Sequence, residues 1–325
     1  MTKEEFLKDF QTRQELKYKG GYQKWWTQFV FHYNDIHNIV SILNSGKLYS
    51  RNKTKSLNIL KTDIANDDVI KHTDSKVDKY ARFYFGARTP TLYWNEGLIP
   101  KDKIRDNAHC PVPIFLLFDF IKILSMDNIW FSNGNMSATN PEVYNDINNL
   151  EKLEWKYIYH REPLEQSGYS RHINYCRNAE VLVKDELSIY DSLKWICVRS
   201  KADKDTLLNL VDETTKEIIK DKIKIFTSDG LFHNKRLFIN EVILKEQQIN
   251  INFTNFNNQE FMLNGIAKSL ATGKELDKSQ VFNINSNIYF KLDELDVSMG
   301  IHFILSIDEN KVYDNVLFNI NEVLV

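Results

Sequence analysis

The sequence lacks the features that mark secreted, metal-binding and membrane-spanning proteins. Its 325 residues contain only three cysteines, an odd number without the spacing of metal ligands, which argues against a disulfide scaffold and a zinc site. No stretch reaches the roughly 18 apolar residues of a membrane span, and the charged first residues do not resemble a signal peptide. We therefore expect a cytoplasmic protein without a metal and without a membrane partner.

The commonest catalytic motifs are also missing. The sequence contains no G-x-G-x-x-G, G-x-x-x-x-G-K-[ST], H-E-x-x-H or G-x-S-x-G, which argues against the usual dinucleotide, phosphate, zinc-protease and serine-hydrolase sites. A charge excess is absent as well, because 42 Lys and Arg against 44 Asp and Glu give a net charge of -2. Any surface that binds nucleic acid must therefore be a local patch.

The first part of the chain predicts a helix at 3–18, a strand at 29–33 and a second helix at 36–44. The second helix can be capped by Asn34 or Asp35 and ended by Gly46. Polar residues fill 50–79, which we interpret as a long surface loop with a weak helical signal near 59–70. A loop of that length in a compact domain is more often functional or mobile than structural filler.

Further along, alternating aromatics predict a strand at 80–93 that is broken by glycine and proline. The most apolar segment, 111–125, is either a central strand or a buried helix. Helical spacing predicts further helices at 141–158 and 204–220, and short β segments follow from about residue 222. With 42% hydrophobic residues, the chain is long enough for one large domain and a smaller one.

Glu180 stands out because it lies on a short β-branched strand, among apolar neighbours. The period of two puts it on one face of the strand, opposite to Val181. A half-buried carboxylate is costly unless it is hydrogen-bonded, so Glu180 is either an inward-facing functional group or the charge of an edge strand. Taken alone, the strand favours the edge interpretation, because charged edges are ordinary.

Other candidate residues carry weak signals by themselves. His32 precedes a polar turn and is more often a satisfied structural residue in such a place. Arg88 follows a glycine and can either pair with a carboxylate or bind an anion. Basic residues of the 50–79 loop, Arg51 and Lys71 among them, could follow phosphates, but the interspersed aspartates make a solvated face the default.

Four blocks, taken together and in order, resemble the DarT family of NAD-dependent DNA ADP-ribosyltransferases, toxins that modify bases in single-stranded DNA. They cover about residues 29–200, and FYF-x-x-R-[ST]-P-x-L-Y and AE-[FV]-LV are the most distinctive pieces. The blocks read FHYNDIHNIVSILNSGKLYSRN at 31–52, KYARFYFGARTPTLYW at 79–94, FSNGNMSATNPEVYNDINNLEKLEWKYI at 131–158 and RNAEVLVKDEL at 177–187.

The resemblance implies an α+β, ADP-ribosyltransferase-like mixed fold with central β-sheets flanked by helices. Together with the change of pattern after residue 222, it predicts an N-terminal helical extension at 1–20, the transferase domain at 21–240 and a smaller β-rich C-terminal domain at 241–325. The last of these lies outside the resemblance, and the sequence does not indicate its role.

The resemblance also implies roles for individual residues. Glu180 corresponds to the catalytic glutamate and His32 to the histidine of the NAD-binding strand. The other residues implied to lie near NAD are Asn34, Asn38, Gly46, Leu48, Tyr84 and Arg88. The segment before Glu180 has the aromatic and basic mixture that suits a splayed base and its phosphates, in Tyr169, Arg171, His172 and Tyr175.

Two departures from the family pattern bear on the acceptor. Asn34 stands where the family usually has threonine, and an asparagine can still hydrogen-bond an amide or a ribose. The family's long loop usually carries an arginine that assists catalysis, and residues 52–81 contain none. Arg51 and Lys71 are the candidate substitutes, although a lysine provides charge without a bidentate fork.

The resemblance implies transfer of ADP-ribose from NAD, a co-substrate used without a metal, to a base in single-stranded nucleic acid, with DNA favoured over RNA. It implies a bacterial toxin or phage-defence effector whose partner is a macrodomain antitoxin that removes the ADP-ribose. The alternatives are a transferase that modifies RNA or protein, an NAD glycohydrolase, and a catalytically silent nucleic-acid-binding module. The missing loop arginine favours the last of these.

Overall fold

The large sheet of the computed structural model is built from strands that lie far apart in the chain. The structure describes residues 1–59, 77–105, 107–138, 140–164, 169–227, 230–254 and 258–319. The strands up to residue 225 are β1 (Phe29–Asp35), β2 (Lys47–Tyr49), β3 (Tyr80–Tyr84), β4 (Pro113–Asp119), β5 (Ile129–Ser132), β6 (Val143–Tyr144), β7 (Glu180–Lys184), β8 (Glu186–Ser188), β9 (Leu193–Val198) and β10 (Ile223–Ile225). Eight of them form one sheet in the order β10-β9-β4-β1-β3-β7-β5-β6, and β2 pairs with β8.

Helices cover this sheet and connect its strands. They are α1 (Lys3–Lys17), α2 (Gln23–Trp26), α3 (Ile36–Ser45), α4 (Arg51–Ser56), α5 (Pro90–Asn95), α6 (Phe120–Ser125), α7 (Trp155–Ile158), α8 (Ser170–Arg177), α9 (Lys201–Leu210) and α10 (Glu213–Ile219). Among the described residues, no helix has both the length and the apolar character needed to cross a bilayer.

The C-terminal strands form two small antiparallel sheets. The strands are β11 (Phe238–Lys245), β12 (Gln248–Thr254), β13 (Glu260–Ser269), β14 (Glu275–Asn283), β15 (Ile288–Lys291), β16 (Ile301–Ile307) and β17 (Asn310–Leu317). One sheet has the order β11-β12-β15 and the other β14-β13-β16-β17. The fold class is therefore confirmed as a mixed α and β fold with a β-rich C-terminal part, while the three domain boundaries stay predictions.

Aromatic side chains fill the centre of the large sheet. Phe31, Phe83, Phe115 and Phe118 are fully buried, and the rings of Phe83 and Phe118 meet edge to face with their centroids 5.1 Å apart. Pairs in this arrangement contribute about 0.5–1.5 kcal/mol beyond their buried area. The high aromatic content of β1, β3 and β4 therefore makes a tightly packed core at the centre of the sheet.

The N-terminal elements agree with the sequence. The helix predicted at 3–18 and the strand and helix at 29–33 and 36–44 are confirmed by α1, β1 and α3. The apolar segment 111–125 contains both alternatives in succession, since β4 runs directly into α6, where the Asp119 side chain accepts from the backbone of Lys122. The weak helical signal at 59–70 falls mainly on residues 60–76, which lie outside the described residues.

Three predicted elements are wrong in extent. The aromatic strand at 80–93 ends at Tyr84, because Thr89 caps α5 by accepting from Leu92 N. The single helix at 141–158 is a two-residue strand, a 3-10 helix and the short α7; its apolar spacing persists, but Asp146 starts a separate turn. The helix at 204–220 divides into α9 and α10, because the Asp212 side chain accepts from Thr215 N and begins a new helix.

Candidate active site

A cavity of about 210 Å³ is lined by side chains of β1 and β3, next to the aromatic core. The elements around it are β1, α3, β2, α4 and β3. Its lining includes the aliphatic Leu48 and a set of aromatic, amide and charged side chains, which are His32, Tyr33, Asn34, Asn38, Lys47, Tyr49, Arg51, Asp78, Tyr80, Arg82 and Tyr84. Most of the residues implied to lie near NAD are thus brought together.

Local sequence signals fix the strand, turn and helix that hold one side of this cavity. Asp35 caps α3, because its Oδ1 accepts from His37 N at 3.1 Å. Gly46 ends α3 in the left-handed region at φ +65, and a Cβ there would lie 3.1 Å from the ring of Tyr190. Gly46 is therefore required for the turn itself, and it places Leu48, which is buried, against the cavity.

His32 presents one ring nitrogen that has no partner among the described residues. Its Nδ1 lies 3.0 Å from the carbonyl oxygen of Arg82, so Nδ1 carries the proton and Nε2 is an acceptor. Burial lowers the pKa of His32 to about 4, against a smaller opposing effect of that carbonyl. A neutral histidine with a buried, unpartnered Nε2 at a cavity wall is well placed to accept from a ligand hydroxyl.

The amide of Asn34 is held by its neighbours. Its Oδ1 accepts from Asn38 Nδ2 at 2.8 Å and from the backbone N of Asp35 at 2.9 Å. Because Asn34 Oδ1 receives both of these bonds, the Asn34 NH₂ group is the part of this side chain that remains to donate to a ligand.

Glu180 is an inward-facing group, and the edge-strand interpretation is wrong. Strand β7 pairs with β3 on one side and with β5 on the other, and the Glu180 side chain is only 1% exposed. Arg82 approaches it with two hydrogen bonds of 2.5 Å each, from Nε to Oε2 and from Nη2 to Oε1. This bidentate pair explains how a carboxylate can lie in the interior of a sheet.

Arg82 connects the buried carboxylate to the cavity. Its side chain is 33% exposed and lines the cavity, while Glu180 lies behind it. Burial lowers the pKa of Arg82, but the charge and hydrogen bonds of Glu180 outweigh this effect and leave the pKa raised. The backbone N of Glu180 in turn donates to Ser132 Oγ at 3.1 Å, so β3 and β5 both fix its position.

Tyr84 stands directly across from Glu180, since the two residues are register partners of β3 and β7. Its ring stacks on that of Tyr33, with 6.2 Å between centroids and 22° between planes. Burial, and secondarily the Glu180 charge, raises the pKa of Tyr84 to about 12. The phenol is therefore neutral, and the two rings make a flat wall next to the carboxylate pair.

Cations border the other side of the cavity. Lys47 and Arg51 line it together with Asp78, and Lys47 Nζ lies 2.7 Å from Glu186 Oε1. Arg51 is thus the candidate loop substitute that the structure does bring to the cavity. The other candidate, Lys71, lies outside the described residues.

Arg88 is not part of this lining. It lies in a second cavity, where its Nη2 donates to His233 Nδ1 at 3.1 Å. The two cavities share a wall, because Thr91 lines the first while Thr89 and Pro90 line the second. The assignment of Arg88 to the NAD pocket is therefore not supported by its position.

The segment predicted to bind nucleic acid forms α8 and the residue before it. Tyr169 is 67% exposed and Arg171 is exposed. His172 Nε2 lies 2.5 Å from Glu154 Oε1 and 3.6 Å from the sulfur of Cys176. Tyr175 hydrogen-bonds Asn133 Oδ1, so its phenol holds a neighbouring turn. Tyr169 and Arg171 are thus accessible to a ligand, whereas His172 and Tyr175 have partners within the protein.

Sequence reasoning missed Arg82 and Lys47 as site residues. A signal existed for Arg82, because an arginine on an aromatic strand shares a face with the tyrosines two residues away on either side. Lys47 offered none, since a lysine after a helix-ending glycine is ordinary. The absence of a metal stays a prediction; Glu154, His172 and Cys176 hold ligand atoms within 4.8 Å of one another.

Residues 31–232, which include every lining residue of the first cavity, match a family model described as ssDNA thymidine ADP-ribosyltransferase, DarT. The match covers more than half of the chain. Comparison with curated proteins gives no match.

Solved structures of DarT from Thermus sp. 2.9 are similar to this chain. The complex with ADP-ribosylated ssDNA aligns with a TM-score of 0.49 and 17% identity over 63% of this chain and 96% of that one. The complex with NAD+ gives a TM-score of 0.46, 17% identity, and 63% and 98% coverage. The complex with carba-NAD+ gives a TM-score of 0.47 and 16% identity over 63% of this chain and 98% of that one.

Proposed function

This chain belongs to the DarT family and is an NAD-dependent ADP-ribosyltransferase that acts on single-stranded DNA, and from this premise we propose the residues and the base that carry the reaction. The proposed acceptor is thymine, in keeping with the description of the family. The proposed catalytic residue is Glu180. The observation that carries this assignment is the Glu180 and Arg82 pair, which holds a buried carboxylate behind the wall of a cavity with NAD-compatible chemistry.

The cavity lining fits the parts of NAD. Lys47, Arg51 and Arg82 supply positive charge for a pyrophosphate, and the unpartnered Nε2 of His32 can accept from a ribose hydroxyl. The paired rings of Tyr33 and Tyr84 offer a flat surface for an aromatic base. The cofactor-binding set proposed here is His32, Asn34, Asn38, Gly46, Leu48 and Tyr84, with Lys47 and Arg51 added from the structure.

NAD supplies a ribose whose bond to nicotinamide breaks through an oxocarbenium-like state. The Glu180 carboxylate can accept a hydrogen bond from a ribose hydroxyl and stabilise the positive charge that develops nearby. Arg82 donates one hydrogen bond to each carboxylate oxygen of Glu180. An ionised carboxylate can accept about four hydrogen bonds in all. Glu180 therefore keeps acceptor capacity while Arg82 holds its orientation.

The acceptor base has to leave any stack of bases to reach the cavity, which favours single strands. Tyr169 and Arg171 are exposed on the segment that leads into β7. An exposed tyrosine can stack on a base and an arginine can bind its phosphate. We assign these two residues to the strand, and His172 and Tyr175 to the support of the segment.

The biological role that fits a DNA-modifying transferase of this family is that of a cytoplasmic bacterial toxin or phage-defence effector. Modification of template bases blocks the use of DNA, so a neutralising partner that removes ADP-ribose, a macrodomain protein, belongs to this proposal. Inducible expression of the chain and of Glu180→Gln tests it: growth arrest only with an intact Glu180 is the expected result, and equal growth would contradict a toxic activity.

The reaction is tested by incubating the full chain with NAD and matched pools of single-stranded DNA and RNA, followed by mass spectrometry of the products. We expect an added ADP-ribose on thymidine in the DNA pool and none in the RNA pool. Glu180→Gln is the matched variant, because it keeps the size and shape of the side chain and removes its charge; the amide oxygen still accepts one bond from Arg82, and the NH₂ group replaces the second acceptor.

Each other outcome identifies a different activity. A product on RNA alone would show that the acceptor is RNA and not DNA. NAD consumption without any nucleic-acid product would indicate a glycohydrolase. A Glu180→Gln protein that transfers at the rate of the unmodified chain would show that Glu180 is not the catalytic residue. Absence of NAD consumption by a folded chain would contradict the proposed function as a whole.

A further inference from the structure

The second cavity is larger than the first and is strongly basic. Its volume is about 670 Å³, and four cationic side chains line it against one carboxylate: Arg88, Arg161, Arg177 and Lys235 against Glu162. The chain as a whole has a net charge of -2. The cavity is therefore a local excess of positive charge on a chain that has no overall excess, as expected of a local anion site.

The cations of this cavity donate to neutral groups. Arg177 Nη2 donates to His160 Nδ1 at 2.6 Å and to the backbone oxygen of Glu162 at 2.7 Å. Lys235 Nζ donates to the hydroxyl of Tyr93 at 2.7 Å. Within the described part of the chain, neither of these two cations forms an ion pair with a carboxylate, and Glu162 acts on Arg177 only as a nearby charge.

The titration of neighbouring groups reflects this positive field. Burial, and next the charge of Arg88, lowers the pKa of Arg177 to about 10. Burial, followed by Arg88, also lowers the pKa of His233 to about 3. Since nearby cations disfavour protonation of both groups, an anion that enters the cavity relieves a repulsion that the folded chain already contains.

Aromatic rings are interleaved with these cations. Trp94 is 50% exposed and meets the Tyr93 ring edge to face, with centroids 5.1 Å apart. Lys235 Nζ also lies 4.0 Å from the centroid of the Tyr93 ring. Basic side chains beside exposed aromatics are the combination with which proteins hold single-stranded nucleic acid, because the rings stack on bases while the cations follow phosphates.

The position of the cavity links it to the candidate active site. One face of α8 lines it with Ser170, Asn174 and Arg177. Strand β7 begins at Glu180, three residues after the end of this helix. The segment 88–91 separates this cavity from the first one. A strand that presents one base at the first cavity therefore has its neighbouring nucleotide within reach of the second.

We propose that this basic cavity binds a nucleotide next to the modified one on the acceptor strand, with its phosphate at Arg177 and Lys235 and its base against Trp94. This rests on the proposed function. His233 and Lys235 lie beyond residues 31–232, which the family model matches, so part of the site lies outside the matched region.

The test measures binding of a labelled single-stranded oligonucleotide to the full chain without NAD, over a series of salt concentrations. Lys235→Gln combined with Arg177→Gln weakens binding about tenfold, and the slope of log affinity against log salt falls by about 0.7 for each lost phosphate contact. Trp94→Ala removes a stacking surface and weakens binding by about 5- to 150-fold without changing that slope. Lys245→Gln, an exposed change on β11 outside both cavities, is the control and binds as the unmodified chain does.

Two further measurements separate this proposal from its alternatives. Titration with NAD alone is expected to give the same NAD affinity for all variants. A loss of NAD affinity with unchanged oligonucleotide affinity would show that the cavity binds NAD, and it would overturn the proposal. Equal oligonucleotide affinity and salt slope in all variants would also overturn it. Cavity-dependent binding in a chain that modifies no DNA would instead contradict the proposed function and leave the binding site in place.

Discussion

Substitution of Arg82 by lysine tests the role of the buried pair. Arg82 gives Glu180 two charge-assisted hydrogen bonds, and a lysine keeps the charge but cannot make the bidentate contact. Because Glu180 is only 1% exposed, water does not replace the lost bond. A hydrogen bond to a charged group contributes about 1.5–3 kcal/mol, and the 33% exposure of Arg82 reduces the expected loss of unfolding free energy to about 1–2 kcal/mol.

The same change alters catalysis through the position of the carboxylate. A misplacement of about 1 Å at a reacting centre can lower the rate about 100-fold, so we expect Arg82→Lys to lower kcat for DNA modification by about 10- to 100-fold. The KM for the oligonucleotide is expected to stay within about twofold, since the fall arises in the transition state alone. A second variant, Arg82→Met, fills similar space but gives Glu180 no hydrogen-bond donor. If Arg82 positions the carboxylate, Arg82→Lys should have a higher kcat than Arg82→Met; equal kcat values would indicate that Arg82 contributes packing only.

Urea unfolding and single-turnover mass spectrometry measure the two effects. Arg13→Lys is the matched control, because Arg13 also pairs with carboxylates, Asp9 and Glu151, but its side chain is 46% exposed. Exposed pairs contribute at most about 1 kcal/mol, so this variant should retain both stability and activity. The reasoning is refuted if Arg82→Lys matches Arg13→Lys in both measurements.

Three other substitutions test the surrounding structure. Gly134→Ala places a Cβ 2.3 Å from the Tyr175 ring, so we expect about 1–3 kcal/mol of lost stability; an unchanged melting temperature would contradict that contact. Burial lowers the pKa of His109 to about 4, so its contribution to stability is present above pH 6.5 and is lost as the pH falls toward 4. His109→Gln should flatten stability against pH in that window by up to about 1.4 kcal/mol per pH unit. Asp314→Asn weakens the hydrogen bonds that the Asp314 carboxylate accepts from α9 and β16. We expect one urea transition for the whole chain, with a lower midpoint in this variant. Two separate transitions, of which only one shifts, would show that the C-terminal sheets unfold independently.

Local signals in the sequence predict the elements that frame the cavity. The cap at Asp35 and the left-handed Gly46 act within a few residues of the helix they delimit, and such contacts do not depend on the rest of the fold. The period of two around Glu180 likewise places its side chain opposite to that of Val181. The order of strand, helix and turn from β1 through α3 to Gly46 therefore follows from short-range interactions, whereas β2 forms by pairing with the distant β8 and is not predicted.

The partner of Glu180 cannot be derived in this way. Arg82 lies 98 residues away in sequence, and only the register of β3 on β7 brings the two together. Register depends on which strands become neighbours, which a single sequence does not specify. For this reason the local pattern favours the edge interpretation, and the resemblance to a family is needed to choose the inward one.

The errors in helix extent have a common physical cause. Apolar spacing at 141–158 and 204–220 records which side chains are buried, but it does not show where the backbone changes direction. Asp146 and Asp212 each accept from a backbone N–H two or three residues on, and each therefore begins a new turn. Acidic residues inside a helical pattern are thus better interpreted as candidate helix starts than as exposed positions.

One continuous segment joins the three functions proposed for this site. Residues 169–184 supply the exposed Tyr169, the cavity arginine Arg177 and the carboxylate of Glu180, and they pass directly from α8 into β7. Tyr175 fastens the helix to the 133–135 turn, and Ser132 of the preceding strand holds the backbone of Glu180. The distance between a bound strand and the carboxylate is therefore set by a packed helix and strand, so changes in this turn should alter DNA contacts and catalysis together.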